Sequence, residues 1–174
     1  MAEFARYRPR RRASGAGSID VRVAETGDAG AIAAIHAGRE GVEIEVSRRR
    51  VDGWLASPGS VVLVGEVSGT VAAYGRAARL EGEGCPEGWY LAGLVVSPRF
   101  RRHGIGRALT IARLELVAER ADEAFYFANE RNRATIDLHS ALGFSELTRE
   151  FTVPGVSFEG GAGILFRIDL DRRA

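Results

Sequence analysis

The stretch from residue 94 to residue 107 reads Leu94-Val95-Val96-Ser97-Pro98-Arg99-Phe100-Arg101-Arg102-His103-Gly104-Ile105-Gly106-Arg107. An apolar run ends at a proline, and a glycine-bearing turn then opens into a segment whose apolar residues recur at helical spacing. The pattern predicts a strand, a turn and an amphipathic helix from Gly104 to about Arg120. Free N–H groups and the positive end of the helix dipole would then point at one spot, which suits a phosphate. The glycines let the backbone approach such a ligand, and positive charge comes from Arg101, Arg102 and Arg107.

Two other phosphate-binding motifs do not fit this turn. A dinucleotide-binding fingerprint requires a third glycine three residues after Gly106, and that position holds Leu109. A P-loop requires a lysine, and the chain contains none, because all 24 of its basic residues are arginine. A Gly-x-Gly at a helix start is often only a tight turn, so its surroundings decide its meaning.

The rest of the pattern predicts an α/β domain. Period-two alternation indicates strands, and helical periodicity with capping residues indicates helices. In chain order we expect strand 19–23, helix 28–38, a helix after Ser47, strands 61–67, 70–80 and 89–96, the helix from Gly104, strand 125–128, helix 133–142, and strands 144–151 and 164–170. Hairpins followed by a strand–helix–strand–helix unit give a mixed, mostly antiparallel twisted sheet of about seven strands flanked by four helices.

The composition fits one domain, which we place from residue 18 to residue 174. The length allows a sizeable core, and no stretch approaches the roughly 20 consecutive apolar residues of a membrane-spanning helix. The single cysteine, Cys85, cannot form an internal disulfide, which suits a reducing cytoplasm. We therefore expect a cytoplasmic protein.

Residues 1–17 form an arginine-rich leader. They carry five arginines and one acid, a net charge of +4, so the rest of the chain is near −3 and does not form a basic nucleic-acid platform. The leader lacks the apolar core of a secretory signal. We expect it to be disordered, with a transit peptide or a polyanion-binding arm as alternatives.

Two motifs together resemble the GNAT superfamily of N-acetyltransferases. The acetyl-CoA signature of that family is Arg/Gln-x-x-Gly-x-Gly/Ala after a strand that ends in Val-x-Pro, and residues 101–106 match it. The second motif, Asn-(x)6-Tyr-x-x-x-Gly-Phe, is similar to the segment from Asn132 to Phe144. The resemblance covers about residues 19–170. It implies the GNAT fold and an enzyme that moves the acetyl group of acetyl-CoA onto a primary amine of a small molecule or a protein, without a metal.

The resemblance also implies where acetyl-CoA binds. The pantetheine arm would lie between strand 89–96 and its neighbour 125–128, and a backbone N–H near Val96 would face the thioester oxygen. The implied cofactor-binding residues are Leu94, Val95, Val96, Arg101, Arg102, His103, Gly104, Ile105, Gly106, Arg107, Asn132 and His139.

Two positions depart from the family pattern. The tyrosine that usually protonates the departing thiolate is His139 here, as in the branch resembling phosphinothricin-type acetyltransferases. We expect His139 to be the catalytic acid, with a core-packing role as the alternative, and Asn132 to contact CoA, with a helix N-cap as the alternative. The glutamate that many relatives carry on strand 89–96 is absent, because Ala92 and Gly93 hold that place. The remaining candidates for a base are Glu43, Glu45, Glu66 and Tyr90, unless a water relay replaces them.

The acceptor is the least determined part of the prediction. The loops expected to shape its site, 39–47 and 153–161, hold four acids that favour a cationic amine, such as a polyamine or an aminoglycoside-like antibiotic: Glu40, Glu43, Glu45 and Glu159. The missing tyrosine and glutamate also permit a non-catalytic acetyl-CoA sensor or docking module. A nucleic-acid-binding role would rest on the leader alone. The last strands could pair in a homodimer, although nothing in the sequence requires it.

Overall fold

The computed structural model describes residues 18–170, so the predicted leader lies outside the described residues. Its seven strands and four helices confirm the predicted α/β class. In chain order they are β1 (Ile19–Val23), α1 (Ala29–Glu40), α2 (Ile44–Ala56), β2 (Ser60–Val67), β3 (Thr70–Leu80), β4 (Gly88–Val96), α3 (Ile105–Ala118), β5 (Glu123–Asn129), α4 (Arg133–Ser140), β6 (Ser145–Thr148) and β7 (Gly163–Asp169). Short 3₁₀ turns precede α1 and follow β4.

The strands form one mixed sheet in the order β1-β2-β3-β4-β5-β7-β6. Every neighbouring pair is antiparallel except β4 and β5, which run parallel because α3 crosses over between them. Buried residues of α1 and α2 pack on one face of the sheet, and those of α3 pack on the other. His139 of α4 stacks on Tyr126 of β5, whose side chain shares a core cluster with Val117 of α3. We call the face under α3 and α4 the covered face and the face under α1 and α2 the open face.

Two predicted boundaries were wrong. Helix α2 begins at Ile44, three residues before Ser47, because Glu43 is extended and ends the connection that starts at Gly41. Ser47 is instead a buried helical residue within hydrogen-bonding distance of His36 (Oγ to Nδ1, 2.8 Å). Strand β6 ends at Thr148, well short of Phe151, because the N–H of Glu150 donates to Thr148 Oγ1 (3.0 Å) and turns the chain.

Within residues 18–170, no helix combines the length and the apolar character needed to cross a membrane. The same residues bring no three His, Cys, Asp or Glu side chains together in a way that could hold a metal ion.

Candidate functional site

The two edges of β4 differ sharply. Toward β3 the strand is paired from Gly88 to Val96, whereas toward β5 the ladder contains only the pair Tyr90–Phe125. Beyond that pair the two strands separate, although both continue for several residues. The gap lies where the resemblance placed the pantetheine arm.

A β-bulge shapes the wall of this gap. The register between β3 and β4 shifts so that Gly75 faces Leu94 while Arg76 faces Ala92, which leaves Gly93 as the extra residue. Gly93 has φ +69°, a conformation that favours glycine. The position that many relatives give to a glutamate therefore holds a backbone irregularity.

The direction of the β4 amides follows from one hydrogen bond. The N–H of Ser97, the first residue after β4, donates to the carbonyl of Ala72 in β3 (2.9 Å). Because N–H groups alternate in direction along a strand, the amides of Val96 and Leu94 point away from β3 and into the gap. These are donors of the kind that a thioester oxygen and a pantetheine carbonyl require.

The predicted phosphate turn connects β4 to α3. Gly104 has φ +88° and stands immediately before the helix, and no side chain caps the helix start. The first amide that closes an intrahelical bond is that of Ala108, which donates to the carbonyl of Gly104 (3.0 Å). The amides of the three residues before it have no helical acceptor, as expected at a helix start, so they can bind an anion.

Gly106 lies in the first turn of α3. A Cβ added there would lie 3.7 Å from Leu94 Cδ2 and 3.8 Å from side chains of Val96 and Leu138, which are ordinary contacts. Its backbone is not in the left-handed region either. Packing within the described protein would therefore accept a small side chain at this position and does not itself require a glycine.

The side chains of the turn have different roles. Arg101 Nε donates to the carbonyl of Val96 (3.2 Å), which ties the turn to β4, while Arg102 and Arg107 are exposed. The His103 ring is within hydrogen-bonding distance of the Arg101 carbonyl (Nδ1 to O, 2.9 Å) and so braces the turn. Ile105 is buried in the core, so only its backbone faces the predicted phosphate position.

Asn132 and His139 both belong to α4, at its start and near its end. Asn132 occupies the N-cap position, yet its side chain makes no capping hydrogen bond. The alternative that it caps the helix is therefore wrong, and its amide is available to a ligand. His139 is buried and stacks on Tyr126 with ring centroids 3.9 Å apart.

The hydrogen bonds of His139 define its protonation state. Nδ1 lies 2.8 Å from the carbonyl of Thr135, which can only accept, so Nδ1 carries the hydrogen. Burial lowers the pKa of His139 to about 4, and the charge of Arg113 acts in the same direction. Nε2 then carries a lone pair at neutral pH, and it has no hydrogen-bond partner within the described part of the chain. The predicted acid role requires that Nε2 first receive a proton.

The candidates for a base lie outside the gap or are occupied. Glu66 of β2 binds Arg22, which also pairs with Asp28. The Tyr90 hydroxyl donates to the carbonyl of Pro86 (2.7 Å), and burial raises the pKa of this phenol. Glu43 and Glu45 are exposed at the start of α2. The structure brings none of them to the bulge, so a base supplied by water remains the simpler expectation.

The open face carries aromatic side chains on both sides of the gap. The segment after β6 folds back over β5, where Phe151 and Phe158 pack with Phe127. On the other side of β4, Trp54 of α2 packs with Tyr74 of β3, and the Arg76 guanidinium lies over the Trp54 ring at 5.2 Å. The face above the gap is thus bordered by two aromatic groups, whereas α3 and α4 cover the opposite face.

Comparison with known proteins agrees with this geometry. The model of the acetyltransferase (GNAT) family matches residues 31–144, about two thirds of the chain. No curated protein matches the chain in sequence.

Solved structures share the fold at low sequence identity. One is a ribosomal-protein-alanine N-acetyltransferase from Brucella melitensis, with 24% identity, a TM-score of 0.70, and coverage of 86% of this chain and 99% of that one. Another is yncA from Salmonella typhimurium with its cofactor acetyl-CoA. It has 23% identity and a TM-score of 0.68, and the match covers 90% of this chain and 96% of that one. A third is AAC(6')-Iy with the bisubstrate analogue CoA-S-monomethyl-acetylneamine. It has 18% identity and a TM-score of 0.68, and the match covers 81% of this chain and 100% of that one.

Proposed function

The chain belongs to the acetyltransferase (GNAT) family, and we propose that it transfers the acetyl group of acetyl-CoA to a primary amine by direct attack. The observation that carries the proposal is the single ladder pair between β4 and β5, with two β4 amides aimed into the gap beyond it. A strand edge without a strand partner leaves hydrogen-bonding groups for a ligand with an extended amide arm. Two of the related folds contain acetyl-CoA or a CoA-linked analogue.

The residues present fit acetyl-CoA at both ends of the gap. At one end, the free amides before Ala108 and the exposed Arg102 and Arg107 would hold the phosphates. Gly106 leaves room for that approach, and the uncapped Asn132 amide is available to the arm. At the other end, the amides of Leu94 and Val96 would bind the arm and the thioester oxygen. Acetyl-CoA supplies the activated acyl group, and the protein supplies its placement.

The chemistry follows from these placements. The uncharged amine attacks the thioester carbonyl from the open face, and the Val96 amide stabilises the oxyanion that develops. The attacking nitrogen becomes positively charged and must lose a proton, while the sulphur must gain one as the C–S bond breaks. His139 Nε2 has a lone pair and lies on the covered face, opposite the attacking amine. We propose that the amine proton leaves to water, and that Nε2 takes up a proton from water, passes it to the sulphur and ends the cycle neutral.

The acceptor we propose is a small cationic amine. Glu40 ends α1 and Glu43 precedes α2, so both lie in the connection at the side of the open face, and Glu159 lies in the segment that covers β5. Arg76 on the same face has the opposite charge, so amines that also carry a carboxylate belong in any test.

An amine panel read out as free CoA thiol tests this function. We expect acetyl-CoA-dependent thiol release with polyamines or aminoglycosides above release with amino acids, and no release without an amine. Stabilisation by acetyl-CoA without turnover of any amine or protein N-terminus would instead support a sensor or docking module.

A further inference from the structure

Arg113 is a cation in the core of the described structure. Its side chain on α3 is fully buried, and burial lowers its pKa to about 9. Within residues 18–170 its hydrogen bonds all go to uncharged oxygens, those of Leu109, Thr110, Arg76 and Gly93. A buried charge without an acid partner is costly, so stability alone does not explain an arginine at this position.

The guanidinium lies at the β-bulge. Nη1 donates to the carbonyl of Arg76 (3.2 Å) on β3 and to the carbonyl of Gly93 (3.3 Å) on β4. These residues flank the point where the register shifts. Arg113 therefore binds both strands at the irregularity and supplies donors to carbonyls there.

The same side chain connects the bulge to the phosphate turn. Nη2 donates to Thr110 Oγ1 (3.0 Å), and the Thr110 hydroxyl donates to the carbonyl of Gly106 (2.8 Å). A continuous chain of hydrogen bonds thus runs from Gly106 through Thr110 and Arg113 to Gly93. It joins the two ends of the gap between β4 and β5.

Gly75 provides the space for this arrangement. A Cβ added to Gly75 would come 2.9 Å from Arg113 Nε and 3.2 Å from its Cδ and Cζ, closer than side chains normally pack. Gly75 is paired with Leu94, one of the two residues whose amides face the gap. The glycine and the arginine are complementary in shape at the level of the bulge.

We propose that Arg113 is a positioning residue for acetyl transfer: together with Thr110 it fixes the Gly93 bulge relative to the Gly106 turn, so that the Leu94 amide stays aimed at the pantetheine arm and the Val96 amide at the reacting carbonyl. This inference rests on the proposed function. Loss of the bulge would shift the register by one residue, and a one-residue shift reverses which amides face the gap. The residue acts through the backbone and touches no substrate.

Arg113→Met tests the proposal, with Leu109→Ala as the matched control on the same helix. We expect Arg113→Met to bind CoA nearly as well as the wild type, because the phosphate turn remains. Its kcat should fall by about 100-fold, the order expected when reacting groups are misplaced by about 1 Å. Arg113→Lys keeps a donor and should recover part of the loss. Leu109→Ala also removes buried packing of α3, so it should lower Tm but leave kcat per folded molecule unchanged.

A double mutant and a ligand-free readout complete the test. Gly75→Ala should lower kcat by displacing Arg113, and it should add little to Arg113→Met, whose flexible side chain can make room. In the ligand-free protein, Arg113→Met and Gly75→Ala should shift the NMR amide signals of Gly93 and Leu94, and Leu109→Ala should not.

Unchanged kcat in Arg113→Met, or unchanged Gly93 and Leu94 signals in both variants, would overturn the proposal. If the wild type acetylates no amine, the proposed function fails, and the amide signals then decide separately whether Arg113 fixes the bulge.

Discussion

Strand β4 has one closed edge and one open edge, and the comparison explains how the site is built. On the β3 side, β4 is paired with β3 along its length, apart from the bulge, where Arg113 binds backbone carbonyls of both strands. On the β5 side, one pair holds the strands together and the remaining backbone groups face a gap. Both edges belong to the same nine residues. The apolar sequence of a strand therefore indicates that the strand is buried, but not which of its edges stays unpaired.

The largest effect should come from adding a side chain at Gly106, at the start of α3 beside the open edge of β4. In the wild type, acetyl-CoA at 100 times its Kd stabilises the fold by about 2.7 kcal/mol, which raises Tm by roughly 5–10 °C. Gly106→Val should abolish this shift, because a branched side chain would occupy the place of the phosphates. Thermal unfolding with and without acetyl-CoA measures it.

The control for Gly106→Val is Gly38→Ala, since a Cβ at Gly38 in α1 meets nothing within 4 Å. It should keep the full ligand-induced shift. Gly104 is less suitable as a test position, because φ +88° would strain any side chain there whether or not a ligand binds. A normal shift in Gly106→Val would contradict the proposed phosphate position.

A smaller effect is expected from His139→Phe, which keeps the stacking on Tyr126 but removes the proton carrier. Turnover should fall by about 100-fold, the lower end of what a positioned acid or base contributes, while the acetyl-CoA-induced Tm shift is kept. His139→Tyr restores the hydroxyl usual in the family and should retain activity if the larger ring fits. Full activity of the Phe variant would remove His139 from the mechanism and leave it as core packing.

The protonation state of His139 also predicts a dependence of stability on pH. Its pKa of about 4 in the folded protein lies below the ordinary 6.5, so the unfolded chain binds more protons between these values. Stability is therefore fully present above pH 6.5 and is lost as the pH falls toward 4, by about 3 kcal/mol in all. Burial lowers the pKa of His36 as well, so it adds in the same direction.

Urea unfolding at pH 7 and at pH 4 measures this contribution. His139→Phe should lose about 3 kcal/mol less than the wild type between the two pH values. Equal losses would show that His139 is not held neutral in the folded protein, and the proton-relay proposal would lose its basis.

The smallest effect is expected from removal of residues 1–17. If β4, α3 and α4 supply all the residues that bind acetyl-CoA, a protein that starts at Ser18 should keep the wild-type kcat, KM and Tm within error. A severalfold loss of turnover with an unchanged Tm would show that the leader contributes to the site.

The sequence predicted those features of the candidate site that depend on residues close together in the chain. The turn from Arg101 to Gly106 was recognisable because its glycine stands immediately before a helix and its arginines lie within a few residues. The element order was also predictable, since each strand and helix carries its own periodicity. Errors arose at Ser47 and Thr148, where tertiary packing and a single turn hydrogen bond decided the boundary.

Two features of the site could not be predicted from local pattern. Gly93 reads as an ordinary glycine in a strand, although glycine in a strand can mark a bulge, which was the one available signal. Arg113 lies on the buried stripe of α3, four residues after Leu109 and four before Val117. Only the assembled sheet shows that its side chain packs against Gly75. Both depend on residues far apart in the chain, which periodicity does not report.

The single pair Tyr90–Phe125 has a consequence for how the fold holds together as a unit. It divides the sheet into two blocks, β1–β4 and β5–β7–β6, each fully laddered within itself. Opening this seam breaks far fewer hydrogen bonds than unravelling either block, so it is the low-energy sub-global motion expected of the empty protein. An extended pantetheine arm bound along the seam would add hydrogen bonds between the two blocks. The acyl donor would then pair with the sheet much as a strand does, and release of CoA would have to break the same hydrogen bonds in every cycle.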